Sequence, residues 1–431
     1  MKDFDITFNM VAGSRCYESF SEKRDDLCHA VRQRLVRLPE PFAAHYGVVP
    51  PAPPEEAIDL RPVRGRYEQA IQALAKADMI AQALHDPYII SRILTRREAV
   101  SSSSIEGTHS TLDALLSVEE TEDGEASAAT RQVRGYALAL DTLVPRARSD
   151  GRALFSIDLM RELHRIVMRD DPDYADGPGE ERKRVVWIGG GNIAYSTFNP
   201  PPPDLVMACL IETVDYLRGQ GMQGMTQGLL TQMAVAHAHF EAVHPFRDGN
   251  GRVGRLLLPL MMAADGHVPL YLSPYIEAHK AAYYEALKGA QQRLDWAGLV
   301  GFLADAVTAT VDELEATRTA LATLKDLWLQ RRRFRRNSAA VRALDILPHY
   351  PVITVGRLAT LLDVSFPAAA QAVDHLQAAG ILVERTGYTR NRIFSAEEAG
   401  AILNRPFGVE PIVGTGGADV CAAAISGGWR A

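Results

Sequence analysis

The sequence predicts a mainly α-helical protein, interrupted by one β-hairpin and followed by a compact helix-and-strand module. Apolar residues recur at helical spacing over Tyr67–Leu84, Pro87–Val100, Ile157–Met168 and Leu294–Leu329. β-prone runs are few, and two of them, Val185–Ile188 and Ile193–Tyr195, flank Gly189-Gly190-Gly191-Asn192, a hairpin signal. A chain of 431 residues, 47% apolar and 23% charged, has room for two or three ordinary globular domains.

Taken in order, residues 1 to about 65 mix short helical patterns with Pro-rich breaks such as Val49-Pro-Pro-Ala-Pro-Pro. Two helices follow. Gly107 is placed to close the second, which puts Glu106 in its last turn; from composition alone this is a solvated glutamate before a turn. Residues 118–130 are acidic and small and read as a solvated loop. The helical pattern resumes at Gln132 and again over Ile157–Met168, where Leu159, Leu163, Ile166 and Val167 make one apolar face. After the hairpin, Pro200–Pro203 launches a helix over Asp204–Leu217, and Thr231–Phe240 reads as a further helix. Leu270–Leu287 joins aromatic residues to a helical pattern, core packing on its face.

Near the C-terminal end, the basic run Arg331–Arg336 precedes an apolar-periodic stretch, Val341–Leu347. Thr354–Val364 and Ala368–Ala379 read as two short helices around the turn Ser365-Phe-Pro367. Gly380–Arg385 and Arg392–Phe394 read as strands of a wing, and the whole resembles a winged helix-turn-helix. Gln371, His375 and Gln377 on the second helix, with Arg390 and Arg392 on the wing, make DNA the first partner to weigh. That second helix holds Asp374 and no Lys or Arg, which favours protein or dimer contacts. The tail from Arg405 is rich in Gly and Ala and is expected to be poorly ordered.

Chemistry concentrates in the twelve residues from His244 to Arg255. Gly249 and Gly251 allow positive φ, so successive N–H groups can form a concave nest for an anion. The apolar run that follows reads as a helix whose N-terminal end adds a positive dipole. Arg252 and Arg255, three apart, project from one face and can grip neighbouring phosphates. Asp248 is a hard oxygen ligand suited to Mg²⁺. His244 can take a proton from an attacking hydroxyl. Together these point to phosphoryl-type transfer from a nucleotide.

Three other readings compete. Gly249-x-Gly251-x-x-Gly254 matches a dinucleotide-binding fingerprint in form, but Pro245, Arg247 and Asp248 stand where an apolar strand is needed. His237, His239 and His244 could suggest a metal cluster, yet no Cys or second carboxylate sits at ligand spacing, and the first two fit a buried helix. A plain turn with Asp248 or Asn250 as helix cap leaves the histidine and both arginines unexplained.

His244-Pro-Phe246-x-Asp248-Gly249-Asn250-Gly251-Arg252-x-x-Arg255 resembles the active-site motif of the Fic family at every fixed position. The resemblance implies an all-α fold: a Fic helical core with a small β-hairpin flap, here joined to the C-terminal winged module. It implies transfer of AMP from ATP to a Ser, Thr or Tyr hydroxyl of a target protein, with Mg²⁺ as the metal. By position, His244 is the general base, Phe246 anchors the loop, Asp248 holds Mg²⁺, and Asn250 with the Gly249 and Gly251 backbone forms the anion hole. Arg252 and Arg255, around Gly254, bind the β- and γ-phosphates. Tyr283 and Tyr284 would lie against the nucleotide. Ser102-x-x-x-Glu106-Gly107 resembles the family's inhibitory motif, in which Glu106 would pair with Arg255 and displace the γ-phosphate. The hairpin around Val186, Trp187, Ile188 and Gly189 resembles its target-binding flap, where an extended segment can add by β-augmentation. The family's aromatic before the arginine aligned with Arg182 is Glu181 here. The resemblance leaves two alternatives: removal of AMP at the same site, and a nucleotide-sensing DNA-binding regulator.

The expected domains are 1–120, a helical region carrying the inhibitory helix; 121–330, the catalytic core; 338–400, the winged module; and 405–431, the tail. A formal charge of −7 argues against wholesale nucleic-acid coating. Cys16, Cys28, Cys209 and Cys421 lack C-x-x-C spacing and fit reduced thiols, the start Met1-Lys-Asp-Phe-Asp-Ile has no apolar leader, and no run is long enough to span a bilayer. The expected compartment is the cytoplasm, with a homodimer as a further possible assembly and no membrane partner.

Overall fold

The computed structural model describes residues 26–82, 87–121, 126–174, 176–221, 226–387 and 391–414. Cys16, Cys421, Tyr388, Arg390 and the tail from 415 lie outside the described residues. The chain divides into two units: described residues of Met1–Gln72, Thr142–Leu270 and His279–Val307 make the first, and those of Ala73–Asp141, Tyr271–Ala278 and Thr308–Ala431 the second.

The first unit is arranged around one helix. Leu229–Val243 is buried at every residue from Leu230 onward, His237, His239 and Glu241 included. A helix buried all round shows no amphipathic stripe, because every face meets protein. Val206–Leu217, Asn250–Ala264 and Lys280–Arg293 pack against it, and Ile157–Met168 packs on Asn250–Ala264. Ile157–Met168 forms where the apolar periodicity predicts it; Ser156 caps its start by accepting the Leu159 N–H, and Leu159, Leu163 and Val167 are buried. Among the Pro-rich residues before 65, the short antiparallel pair Leu35–Arg37 and Tyr46–Val48 forms, an element the sequence pattern did not announce.

The hairpin expected at Val185–Tyr195 takes another form. Ile188 makes a single antiparallel bridge with Phe198, and Ile193–Tyr195 is a turn of 3₁₀ helix capped by Asn192. The glycines set this outcome: a side chain at Gly190 would sit 2.5 Å from the Tyr195 carbonyl oxygen, so the loop folds back on itself more tightly than two extended strands allow.

In the second unit, Pro87–Ile105 runs through Ser101–Ser104, past the apolar periodicity that ends at Val100 and up to the turn expected at Gly107. Ser101, Ser102 and Ser103 are buried, small enough to pack without apolar bulk. Gly107, at φ 84, closes the helix as expected, with its N–H on Ser104 and that of Thr108 on Ser103. The acidic stretch is not a solvated loop at its start. Leu112–Thr121 is helical, and Glu119 lies in a buried pair with Arg92 and Arg96 at 2.6 and 2.9 Å. Two guanidiniums make burial of this carboxylate tolerable, which composition alone could not foretell.

In the C-terminal part of this unit, helices Ala339–Ile346, Val355–Leu362 and Phe366–Ala378 and strands Val383–Glu384 and Ile393–Ser395 lie within or beside the expected stretches, and a strand Val352–Thr354 forms that the sequence pattern did not announce. The Ile393–Ser395 strand is central in the three-stranded antiparallel sheet. Leu344, Leu358, Val373, Leu376 and Phe394 share a core with Trp328 of the helix Trp296–Arg331. Among the described residues, no helix is long and apolar enough to cross a membrane.

Glu119→Ala should leave Arg92 and Arg96 buried without their shared carboxylate and destabilise the protein by about 3–5 kcal/mol. Urea unfolding of the full chain measures this; a loss under about 1 kcal/mol would show that the cluster relaxes into solvent.

Candidate active site

The site begins where the buried helix ends. His244 caps Leu229–Val243 in the left-handed region, φ 48 and ψ 62, with its N–H on the Phe240 carbonyl at 3.0 Å. A non-glycine residue adopts that conformation only where its surroundings hold it. The chain then turns back through Pro245 into the fully buried Phe246. Asn250 clamps this turn from both sides: its Oδ1 accepts the Phe246 N–H and its Nδ2 donates to the Phe246 carbonyl, each at 2.9 Å. Phe246 stacks on His164, with ring centroids 3.8 Å apart and planes 9° from parallel.

The imidazole of His244 faces Glu241 through Nδ1, 3.3 Å from its carbonyl oxygen and 4.0 Å from Oε2. Only a protonated Nδ1 can donate to that carbonyl, which leaves Nε2 as the basic nitrogen. Asp248 is exposed, and its Oδ1 accepts the Gly249 N–H at 2.6 Å. Gly249 is at φ 76, and a Cβ there would lie 2.6 Å from the Met168 sulfur; conformation and space both demand glycine.

The loop differs in one respect from the expected double-glycine nest. Gly251 is already the second residue of the helix Asn250–Ala264, so one left-handed glycine and a helix N-terminus, rather than two turned glycines, face the loop. Arg252 and Arg255 are both buried, at 4% and 1% exposure. Arg252 reaches the end of Ile157–Met168, donating to the Val167 carbonyl at 3.5 Å and to the Met168 sulfur at 3.1 Å. Gly254 packs so closely that an added Cβ would stand 2.3 Å from Glu241 Oε1.

Three histidines that do not touch solvent hold this assembly. His164 accepts the Gly179 N–H at Nδ1, 2.7 Å, which puts its proton on Nε2, where it donates to the Asp248 carbonyl at 3.1 Å. His237 donates from Nδ1 to the Gly254 carbonyl at 3.1 Å and accepts the Tyr283 hydroxyl at Nε2, 2.6 Å. His239 pairs with the Thr213 hydroxyl at 2.8 Å. Burial pushes all three below the usual range, to about 4 for His164 and His237 and about 3 for His239; the nearby Arg255 charge adds to the effect on His237.

Tyr283 is therefore buried and bonded to His237, with Tyr284 half-buried beside it at 5.2 Å between ring centroids. Val186, Trp187 and Ile188 are half-exposed, and Trp187 packs on Phe42 at 5.9 Å. Gly189 is at φ 71 with Thr197 closing over it. The base of this segment is tied to the loop by Arg182, whose side chain donates to the His244 carbonyl at 2.7 Å. Glu181, in place of the family's aromatic, pairs with Arg161 at 2.7 Å. Ser102 and Glu106 belong to the second unit, Ser102 fully buried within its helix and Glu106 exposed just past its end.

The Fic/DOC family N-terminal model matches residues 65–142, and the Fic/DOC family model matches 154–262, which contains the whole loop. Residues 154–262 thus resemble a Fic domain. Protein adenylyltransferase fic-1 of Caenorhabditis briggsae is 37% identical over 133 residues, 31% of this chain and 23% of that protein. Protein adenylyltransferase Fic of Drosophila erecta is 31% identical over 215 residues, 49% of this chain and 40% of that protein. The matched part thus spans less than half the length of these relatives. A crystal structure of a Fic family protein from Desulfovibrio desulfuricans G20 aligns at 20% identity and a TM-score of 0.48, covering 80% of this chain and 98% of that one.

His164, Arg182, His237 and Glu241 escaped the sequence reading as parts of this candidate site. His164 carries a signal in hindsight: it is a titratable residue beside the apolar face of Ile157–Met168. Its partners, Gly179 and Asp248, are remote in sequence, so no local pattern could name them.

The depressed histidines carry a sign. Each is neutral in the fold, whereas the unfolded chain takes up a proton near 6.5; stability is fully present above 6.5 and falls as pH drops towards about 4. Urea midpoints at pH 7.5 and 5.0 should therefore differ, and His237→Gln with His239→Gln should flatten the difference. Equal slopes in wild type and variant would remove these histidines from the acid response.

Proposed function

We propose that this protein is an adenylyltransferase that moves AMP from ATP to a Ser, Thr or Tyr hydroxyl of a target protein. One arrangement carries the reading: a basic imidazole on a left-handed helix cap, one turn away from a helix N-terminus that holds two buried guanidiniums. The target oxygen attacks the α-phosphorus, its proton passes to His244 Nε2, and the bond to the bridging oxygen breaks as pyrophosphate leaves. Arg252, Arg255 and the helix N-terminus hold the charge of the leaving group before it develops, so little reorganisation is needed in the transition state. Asn250 and Phe246 set where the imidazole stands. Their mutual hydrogen bonds fix the turn between base and helix.

Asp248 fits a shared Mg²⁺. Among the described residues no group of three or more His, Cys, Asp or Glu could hold a metal ion alone, and Mg²⁺ commonly uses one or two carboxylates with phosphate oxygens and waters. When bound, the ion would neutralise charge on the pyrophosphate. The exposed Glu106 is read as an inhibitor that competes for the arginine site, with Ser102 supporting its helix end, and the half-exposed segment Val186–Gly189 as the edge that receives the target. We read the protein as cytoplasmic; Cys28 and Cys209, the cysteines among the described residues, are free thiols.

For the C-terminal unit we favour an internal clamp over a DNA reader. The winged-helix reading rests on its helix and strand order. Three of its arginines are engaged at home: Arg385 grips Asp113 through two bonds of 2.6 Å, Arg357 meets Glu120 at 3.3 Å, and Arg392 meets Glu384 at 3.1 Å. Asp113 and Glu120 lie on the helix that follows Glu106, and Ile93, Leu112 and Leu116 share a core with Val352, Ile393 and Leu403. Cations spent on carboxylates are not offered to phosphates.

His244→Ala should lower AMP incorporation from α-labelled ATP by about 10²–10⁴-fold, while Glu106→Gly should raise it. Labelling that survives in His244→Ala would remove the base from its role, and unchanged labelling in Glu106→Gly would remove the inhibitor. Duplex DNA of random sequence at low salt should give no retarded band with the full chain at micromolar concentration; a retarded band would restore the DNA reading.

A further inference from the structure

Arg182 stands at the root of the flap with its guanidinium inside the protein, 5% exposed. Its acceptors are all backbone carbonyls: His244 at 2.7 Å through Nε, Arg184 at 3.2 Å, Pro201 at 2.7 Å and Val243 at 3.3 Å. Its own N–H donates to the Pro245 carbonyl at 2.9 Å. Side chain and main chain thus hold three consecutive loop residues, Val243, His244 and Pro245. Pro201 closes the far end of the flap, and Arg184 leads into its edge.

The chemistry of the grip is specific. Carbonyls at a helix C-terminus lack intrahelical donors and form the negative end of the dipole, so a cation there is favoured. Burial lowers the Arg182 pKa to about 10, which still leaves the group charged at neutral pH. A planar fork of N–H donors can reach carbonyls on opposite sides at once; an ammonium cannot keep that spread. The His244 backbone, at φ 48, lies in a region that a side chain avoids unless it is held.

We propose that Arg182 is a positioning residue for the transfer reaction, fixing the left-handed cap of the base and the two ends of the flap as one body, so that a target segment laid along Val186–Ile188 meets Nε2 of His244 in register. This rests on the reading of His244 as general base and of the flap as target edge. Because the Arg182 guanidinium is spent on backbone carbonyls, its loss acts on alignment and leaves ATP binding nearly intact. Misplacement of about 1 Å can cost roughly 10²-fold in rate.

The test uses the full chain as wild type, Arg182→Lys and Arg182→Gln. Hydrogen exchange read by mass spectrometry should speed by about tenfold or more both in peptides covering 186–189 and in those covering 244–249, while Leu229–Phe240 keeps its protection. The kcat for incorporation of α-labelled AMP into the chain itself, counted per ATP-binding molecule from calorimetry, should fall at least about tenfold in Arg182→Lys, with KM for ATP within about threefold. Should Arg182→Gln fail to fold, Arg182→Lys decides alone. Exchange and kcat at wild-type levels in Arg182→Lys would overturn the proposal, and so would loss of protection spread through Leu229–Phe240, which marks a merely structural residue. If neither the wild type nor Glu106→Gly transfers AMP, the adenylyltransferase reading fails, whereas paired loosening of flap and loop would still support the tie.

Discussion

The loop depends on one buried stack. Phe246 lies flat on His164, and Asn250 bonds both its N–H and its carbonyl, so the chain between His244 and the helix Asn250–Ala264 has one shape available. The same His164 reaches Gly179 on one side and Asp248 on the other. A neutral imidazole suits this place, since it donates once and accepts once; a charged one would have two donors facing a single acceptor and an N–H. Desolvation keeps it neutral. The polar geometry of the site is therefore a consequence of apolar burial around it.

The buried helix Leu229–Val243 extends that logic. It supplies His237 to Gly254 and Tyr283, His239 to Thr213, Glu241 to the imidazole of His244, and its own last carbonyls to Arg182. His237, His239 and Glu241 have been taken out of water, and each of these bonds fixes the position of the loop or of a neighbouring helix. Unsatisfied polar groups are costly at such depth, so alternative arrangements of these residues are disfavoured together. The second unit uses a different device. There, Arg92, Arg96, Arg357 and Arg385 meet Glu119, Glu120 and Asp113, joining the helix Leu112–Thr121 to its neighbours by charge as well as by the Ile93, Leu112 and Val352 core.

Places where the sequence pattern and the structure part company have physical causes. The predicted second strand of the hairpin became a 3₁₀ turn because a run of glycines let the chain reverse too tightly for a ladder to propagate. The acidic stretch read as solvated because charge composition carries no information about partners, and its partners lie far along the chain at Arg357 and Arg385 or on another helix at Arg92 and Arg96. Gly251 entered the helix because Gly249 alone makes the turn.

By itself, the sequence determined what is local: helices with a buried stripe, the glycine that closes the helix at Gly107, the C-terminal helices and the two wing strands, and the extent of the loop from His244 to Arg255. Only the tertiary structure decided which distant groups complete that loop. His164, Arg182 and His237 act through carbonyls and rings that folding brings to them, and a hydrogen bond across eighty residues leaves no periodicity to read. Spacing encodes contacts within an element; burial, which belongs to the fold as a whole, chooses the partners between elements.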